Sequence, residues 1–314
     1  MTGDSLHVLL LFLDGIGLGQ SDPAVNPFAS ISMPHFEALS GGPLLAFRGT
    51  TRETARATLF AADATLGVPG RPQSATGQAT ILTGRNIPAV LGEHWGPKPD
   101  GRVRAELERD NFFMRVTGRN GHAPLGDGTA ALLNAYPERY FAVHDSGLRL
   151  HGAVPLAALA AGLPLYTTDD LRAGRALAVD FTGEGWRAQL GFTDTPVYSL
   201  AEAGARLAAL ARTLTFSFVD CWIPDVLGHR RDMAQACAWL AQFDQILGAL
   251  LAHWDDAHDL LVITSDHGNL EDLGARGHTL NPVPAVLAGE PRRRVAGPIR
   301  ALTDIVPALE RLWD

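Results

Sequence analysis

The chain has 314 residues, 46% of them hydrophobic, and a formal net charge of −8. That is enough apolar material for one large core, with or without an inserted unit. The negative balance, without any Lys/Arg-rich run, excludes a general attraction to nucleic acid or to an anionic membrane, and leaves room only for a local basic pocket. Two cysteines, Cys221 and Cys237, are too few for a disulfide scaffold or a four-thiolate metal site.

The first predicted element is HVLLLFL, residues 7–13, an unbroken apolar run that reads as a buried strand. It is too short for a membrane span, lacks the form of a signal peptide and ends in Asp14, which points to the cytoplasm. The glycine-rich turn after it, DGIGLG, lacks the full spacing of a dinucleotide loop. Pro23, Pro27 and Pro34 then stand where that motif needs a helix, so a Rossmann reading is rejected. Residues 51–64 carry a mixed helix and strand signal. PGRPQS breaks regular structure, and SATGQATILTG starts a helix with Ser74 in its first turn. A hydroxyl there lies beside free backbone N–H groups that favour negative charge. It either serves as a nucleophile or merely caps the helix.

A loop-rich stretch opens at EHWGPKPDGR, and a helix is predicted over VRAELERDNFFMRVTG. The sequence to about residue 195 has no strong core rhythm, so an inserted cap is expected over 92–195, between core segments spanning 1–91 and 196–314. Arg109, Arg115, Arg119, Arg139, Arg149 and Arg175 in this stretch are candidates to clamp an anionic substrate. The core resumes with a helix in SLAEAGARLAALART and a strand in LTFSFVD. A long helix follows over 231–254, then the strand LLVITS, the short run NPVPAVLAG and a closing helix in TDIVPALERLW. No internal repeat is evident. Apolar runs that end on polar residues place a site at the carboxyl edge of a mostly parallel, doubly wound sheet flanked by helices.

Those polar ends carry the chemistry. Asp225 and His229 are four residues apart and share a face on any helical turn. Asp266 and His267 are adjacent, and both enter one site only where strand alternation has ended. His278 follows after a glycine-containing loop long enough to fold back. Oxygen and imidazole donors together fit Mn²⁺, Zn²⁺ or iron better than a pure Mg²⁺ or Ca²⁺ cage.

The segments DGIG, QSATGQATILTGR, PDVLGH, SDHGNLED and HTLNPVP, in that order, resemble the alkaline phosphatase superfamily. Within it they are most similar to cofactor-independent phosphoglycerate mutase and phosphopentomutase. The resemblance covers about 5–91 and 196–310 and leaves the cap unrecognised. It implies an α/β core with an inserted α/β cap, two divalent ions, often Mn²⁺, and a serine nucleophile. By position, Asp14, Asp266 and His267 would hold the ion that touches Ser74, and Asp225, His229 and His278 the second ion. Ser74 is preferred to Thr76 because it matches the serine of the family pattern SxxGH. Gln78 departs from that pattern, because an amide cannot exchange a proton as histidine does. The short interval from His267 to His278 resembles phosphopentomutase, while PDVLGH and the serine resemble the phosphoglycerate enzyme.

The expected function is divalent-metal-dependent phosphoryl transfer through a phosphoserine on a small phosphorylated substrate, with Mn²⁺ or Zn²⁺ as the ions. Hydrolysis of a phosphomonoester is placed ahead of mutase action on a sugar or glycerate phosphate, and a non-catalytic metal-binding protein behind both. Sulfatase chemistry is disfavoured, since no cysteine occupies the nucleophile segment. No nucleic acid or membrane partner is expected, and the pattern sets no oligomeric state.

Overall fold

In the computed structural model of the protein, which describes residues 6–295 and 297–314, the apolar runs become strands of one sheet. The first five residues of the expected 1–91 segment, and residue 296 of the 196–314 segment, lie outside the described residues. The strands are β1 (Val8–Leu13), β2 (Thr51–Glu53), β3 (Ala57–Ala62), β4 (Ala130–Leu132), β5 (Phe216–Cys221), β6 (Leu260–Thr264) and β7 (Val283–Ala288). Their order is β2-β3-β7-β6-β1-β5-β4. The mixed signal over 51–64 resolves into the β2–β3 hairpin.

The expectation of a mostly parallel sheet holds for only half of it. β4, β5, β1 and β6 pair in parallel, whereas β6–β7, β7–β3 and β3–β2 are antiparallel. The cause is the connection. β6 returns to its neighbour β7 through a loop with no crossover helix, and a chain that doubles back in that way must pair antiparallel. This loop carries both His267 and His278.

Helices cover both faces. Val8, Leu10 and Phe12 of β1 pack with the helices Ser74–Thr83, Gly101–Arg109 and Ala153–Ala160. Leu9, Leu11 and Leu13 pack with Pro34–Ser40, Leu200–Ala211 and Met233–Ala252. Strand alternation thus sorts β1 between two cores. Among the described residues no helix is long and apolar enough to cross a membrane.

The helix expected from VRAELERDNFFMRVTG is two, Gly101–Arg109 and Phe112–Thr117, because the Asn111 side chain accepts from Met114 N and starts a new helix. The stretch 92–195, expected as an insertion, shares the main core. It supplies β4 to the sheet, and Val103, Leu107, Phe112 and Val154 are fully buried in the same cluster as Phe12. A small separate cluster holds Ala135, Leu171, Ala176, Ala178 and Trp186.

The helices Leu200–Ala211 and Met233–Ala252 meet at Gly204, where an added Cβ would lie 2.3 Å from the carbonyl oxygen of Ile246. Gly204→Val should therefore cost about 1–3 kcal/mol through overpacking. The expected result is a lower urea midpoint with an unchanged denaturant slope.

Candidate metal centre

β1 and β6 are paired in parallel register, Phe12 beside Thr264. Two residues further on, the same face offers Asp14 from one chain segment and Asp266 from the other. Regular strand geometry ends at Thr264, and the bend that follows lets His267 enter the same space as Asp266. Ser265 holds this bend, accepting from Ile16 N at 2.9 Å and donating to the carbonyl oxygen of His267 at 3.0 Å.

Over this edge lies the Ser74–Thr83 helix, all ten residues of which are buried. Gly77 allows the approach, since a Cβ there would stand 2.8 Å from Asp266 Cβ. Gly15 does the same from the other side. Its φ of +75° turns the chain after Asp14, and an added Cβ would stand 2.8 Å from Asp225 Cα. Ser74 is the first residue of its helix. Its hydroxyl does not cap the helix but lies 3.0 Å from His267 Nε2, inside the cluster. Gln78, one turn on, donates through Nε2 to Asp14 Oδ2 and Asp266 Oδ2, each at 3.3 Å.

The helix Ile223–Arg230 contributes Asp225 and His229. Asn269 donates to Asp225 Oδ1 at 2.7 Å. His278 bonds Pro72 O through Nδ1 at 2.7 Å, which leaves Nε2 facing Asp225 Oδ1 at 3.7 Å. The His267 and His278 rings stack at 3.6 Å. Among the described residues, two groups bring metal-ligating atoms within 4.8 Å of one another: Asp14, Asp266 and His267, and Asp225, His267 and His278. The expected ligands converge, with one difference. His229 reaches Asp225 Oδ2 at 3.3 Å but is 50% exposed and stays outside both tight groups.

The donors fit divalent cations. Asp14 Oδ1, Asp266 Oδ1 and His267 Nδ1 are buried and have no hydrogen-bond partner among the described residues. Burial, followed by the charges of Asp266, Asp225 and Asp220, holds the Asp14 carboxyl well above the usual carboxylate range. Burial, with Asp225 next, pushes Asp266 up to about 8. Burial and then His278 hold His267 well below the ordinary imidazole value, so it stays neutral and able to ligate. Carboxylates packed this closely are stable as anions only beside positive charge. Two candidate divalent-metal sites are therefore present.

Glu271 organises the surrounding loops. Its buried carboxylate accepts from Gly17 N at 3.0 Å, Asn269 N at 2.8 Å and Asn281 Nδ2 at 3.0 Å, and also from the Thr279 hydroxyl. It ties the turn after β1 to the segments carrying His267 and His278. Asn269 and Glu271 were absent from the expected site, although both stand in the SDHGNLED segment.

Beside the cluster opens a cavity of about 890 Å³ whose walls include Lys98, Tyr136, Arg139, Tyr140, Arg149, Trp186, Asp220, Trp222 and Arg230. Of the six arginines proposed to clamp an anion, Arg139 and Arg149 reach it. Arg109, Arg115 and Arg175 are engaged with Glu106, Asp110 and Glu310, and Asp170, and Arg119 lies over Gly162.

Comparison with known proteins agrees with this architecture. A family model described as the metalloenzyme superfamily matches residues 194–306, which contain five of the six expected Asp and His ligands. The 2,3-bisphosphoglycerate-independent phosphoglycerate mutase of Dinoroseobacter shibae is 38% identical over 96 residues, 28% of this chain and 19% of that protein. The enzyme of the same name from Lawsonia intracellularis is 28% identical over 130 residues, 38% of this chain and 25% of that one. The matches thus span about a fifth to a quarter of these relatives. In fold, the PH0037 protein from Pyrococcus horikoshii aligns with a TM-score of 0.53 at 13% identity, covering 98% of this chain and 97% of its own. A cold-active alkaline phosphatase from Shewanella sp. aligns at 0.50 and 13%, covering 98% and 100%. The fold is the metalloenzyme fold of the alkaline-phosphatase superfamily. Its core is related to that of cofactor-independent phosphoglycerate mutase and phosphopentomutase.

The carboxylates give a pH signature. Between pH 6.5 and 8 an unfolded Asp, with its ordinary value of 3.8, has already lost its proton, while folded Asp266 retains one. The native state then binds more protons, and stability falls as pH rises. Metal-free protein should melt at progressively lower temperature across this window. Added Mn²⁺ should remove the slope, and Asp266→Asn should lessen it without metal, the buried Asp14 accounting for what remains, as scanning calorimetry would read directly.

Proposed function

We propose that the protein is a divalent-metal-dependent phosphoryl-transfer enzyme acting as a phosphomutase on a small phosphorylated alcohol, through a phosphoserine at Ser74. The observation that carries this reading is the Ser74 hydroxyl at a helix start, 3.0 Å from His267 Nε2, among carboxylates that require cations. Asp14, Asp266 and His267 would hold one ion beside Ser74. Asp225 and His278, with His229 from the rim, would hold the other. Mn²⁺ or Zn²⁺ suits this mixture of oxygen and imidazole donors. Such ions supply Lewis acidity that favours the serine alkoxide and offsets charge on the phosphoryl oxygens.

The protein's own groups do the rest. The buried helix fixes the nucleophile. Gln78 holds Asp14 and Asp266 in one arrangement through its two hydrogen bonds. The segment around 134–192 would cover the cavity and limit water, which decides whether the phosphoryl group returns to an alcohol or is lost. Sequence reasoning placed hydrolysis first. The relatives that match the core are named as mutases, and this moves the preference to the mutase.

The test is turnover of a panel of phosphomonoesters by metal-replete protein, with rearranged product and free phosphate both quantified. A mutase gives isomer without stoichiometric phosphate and a phosphorylated Ser74 peptide by mass spectrometry. Ser74→Ala should lower the rate by at least about a thousandfold. Phosphate release alone would make the enzyme a hydrolase. Full activity in Ser74→Ala would remove the serine from the mechanism.

A further inference from the structure

Asp220 occupies the junction between the carboxylate cluster and the cavity. It stands near the end of β5 in register with Phe12, on the sheet face from which Asp14 emerges two residues later. Its backbone is fixed from both sides by one side chain. Asp220 N donates to Asn134 Oδ1, and Asn134 Nδ2 donates to Asp220 O, each at 2.8 Å. Its carboxylate lines the cavity, and among the described residues it accepts no hydrogen bond and forms no ion pair. The nearby groups that act on or feel its charge are Lys98, Asp14, Tyr136, Tyr140 and the neighbouring Cys221. Lys98 is the only lysine in the sequence. The carboxylates of the two metal-ligating groups face the space a cation would fill, whereas this one borders the space for the organic portion of a substrate.

We propose that Asp220 is the acid–base group for the alcohol oxygen of the substrate, an inference that rests on the phosphoryl-transfer reading above. In the first half-reaction the bond from phosphorus to the substrate oxygen breaks, the bond from phosphorus to Ser74 Oγ forms, and protonated Asp220 gives its proton to the departing oxygen. Ser74 enters as an alkoxide whose proton has already gone to solvent. In the second half-reaction Asp220 takes the proton of the accepting hydroxyl as that oxygen attacks the phosphoserine, and Ser74 leaves as the alkoxide again. Protons balance over the cycle. Burial pushes the Asp220 carboxyl up to about 6, against the pull of Lys98, which brings both protonation states within reach near neutrality.

The experiment uses the leaving group as the readout. Single-turnover phosphorylation of Ser74 is followed by mass spectrometry in the metal-loaded protein, with glycerol 2-phosphate, whose alkoxide needs a proton, and with 4-nitrophenyl phosphate, whose phenolate does not. Asp220→Asn should slow the reaction of the alkyl ester by about a hundredfold or more, and that of the aryl ester by at least tenfold less. Asp220→Glu should recover some of the alkyl rate. Equal loss on both esters, or loss of bound metal in both variants, overturns the acid–base role alone. Absence of phosphoserine in the wild type with either ester overturns the phosphoryl-transfer reading, and this inference with it.

Discussion

Buried like charge is the constraint on which the rest of this structure depends. Asp14, Asp225 and Asp266 come from three separate stretches of chain and meet where little water separates them, with Asp220 close by. Each raises the cost of ionising its neighbours, and in a low-dielectric interior that cost is several-fold larger than at a surface. A fold that builds such a cluster has two ways to tolerate it: bind protons or bind metal. The two fully buried carboxylates lean toward the first in the bare protein, which is why cation affinity and proton affinity at this site are in direct competition.

The scaffold meets that repulsion with neutral donors rather than with arginine. Gln78 spans Asp14 and Asp266, and Asn269 holds Asp225. An amide orients a carboxylate without neutralising it, so the negative potential that attracts a cation survives. Glu271 has the complementary role, farther from the cluster, where its own charge is satisfied by backbone N–H groups and hydroxyls of the loops. The arginines of the chain are mostly paired elsewhere. Those left without a carboxylate partner among the described residues at the cavity, Arg139, Arg149 and Arg230, lie on its walls and not in the cluster.

Much of this was legible in the sequence, for a physical reason. An Asp that ends an apolar run, as Asp14 does, or follows it within three residues, as Asp266 does, is placed at the edge of a buried strand. The glycine-containing return to His278 was long enough to fold back on that edge. The i,i+4 rule also placed Asp225 and His229 on one helix face, but it could not tell that the ring of His229 would lie toward solvent. Asp220 satisfied the same strand-end criterion in LTFSFVD and was read only as a strand residue. Sheet direction was misjudged in the β3–β7 half, because apolar runs do not report whether the link between them crosses over or doubles back. The extent of the cap was read from weak periodicity. β4 and the helices around it are short, so their contribution to the main core left no rhythm of its own.

The helix that begins at Ser74 is buried on every side, and this bears on how the enzyme could acquire new specificity. A surface helix offers positions that drift freely; ten consecutive residues without one leave nothing to change except by repacking a neighbour. The cavity walls are different. Arg139, Arg149, Trp222 and Arg230 are exposed, so their substitution disturbs little of the core. The molecule therefore separates a region that cannot vary from a region that can, and a search for altered substrates has its productive positions on the walls.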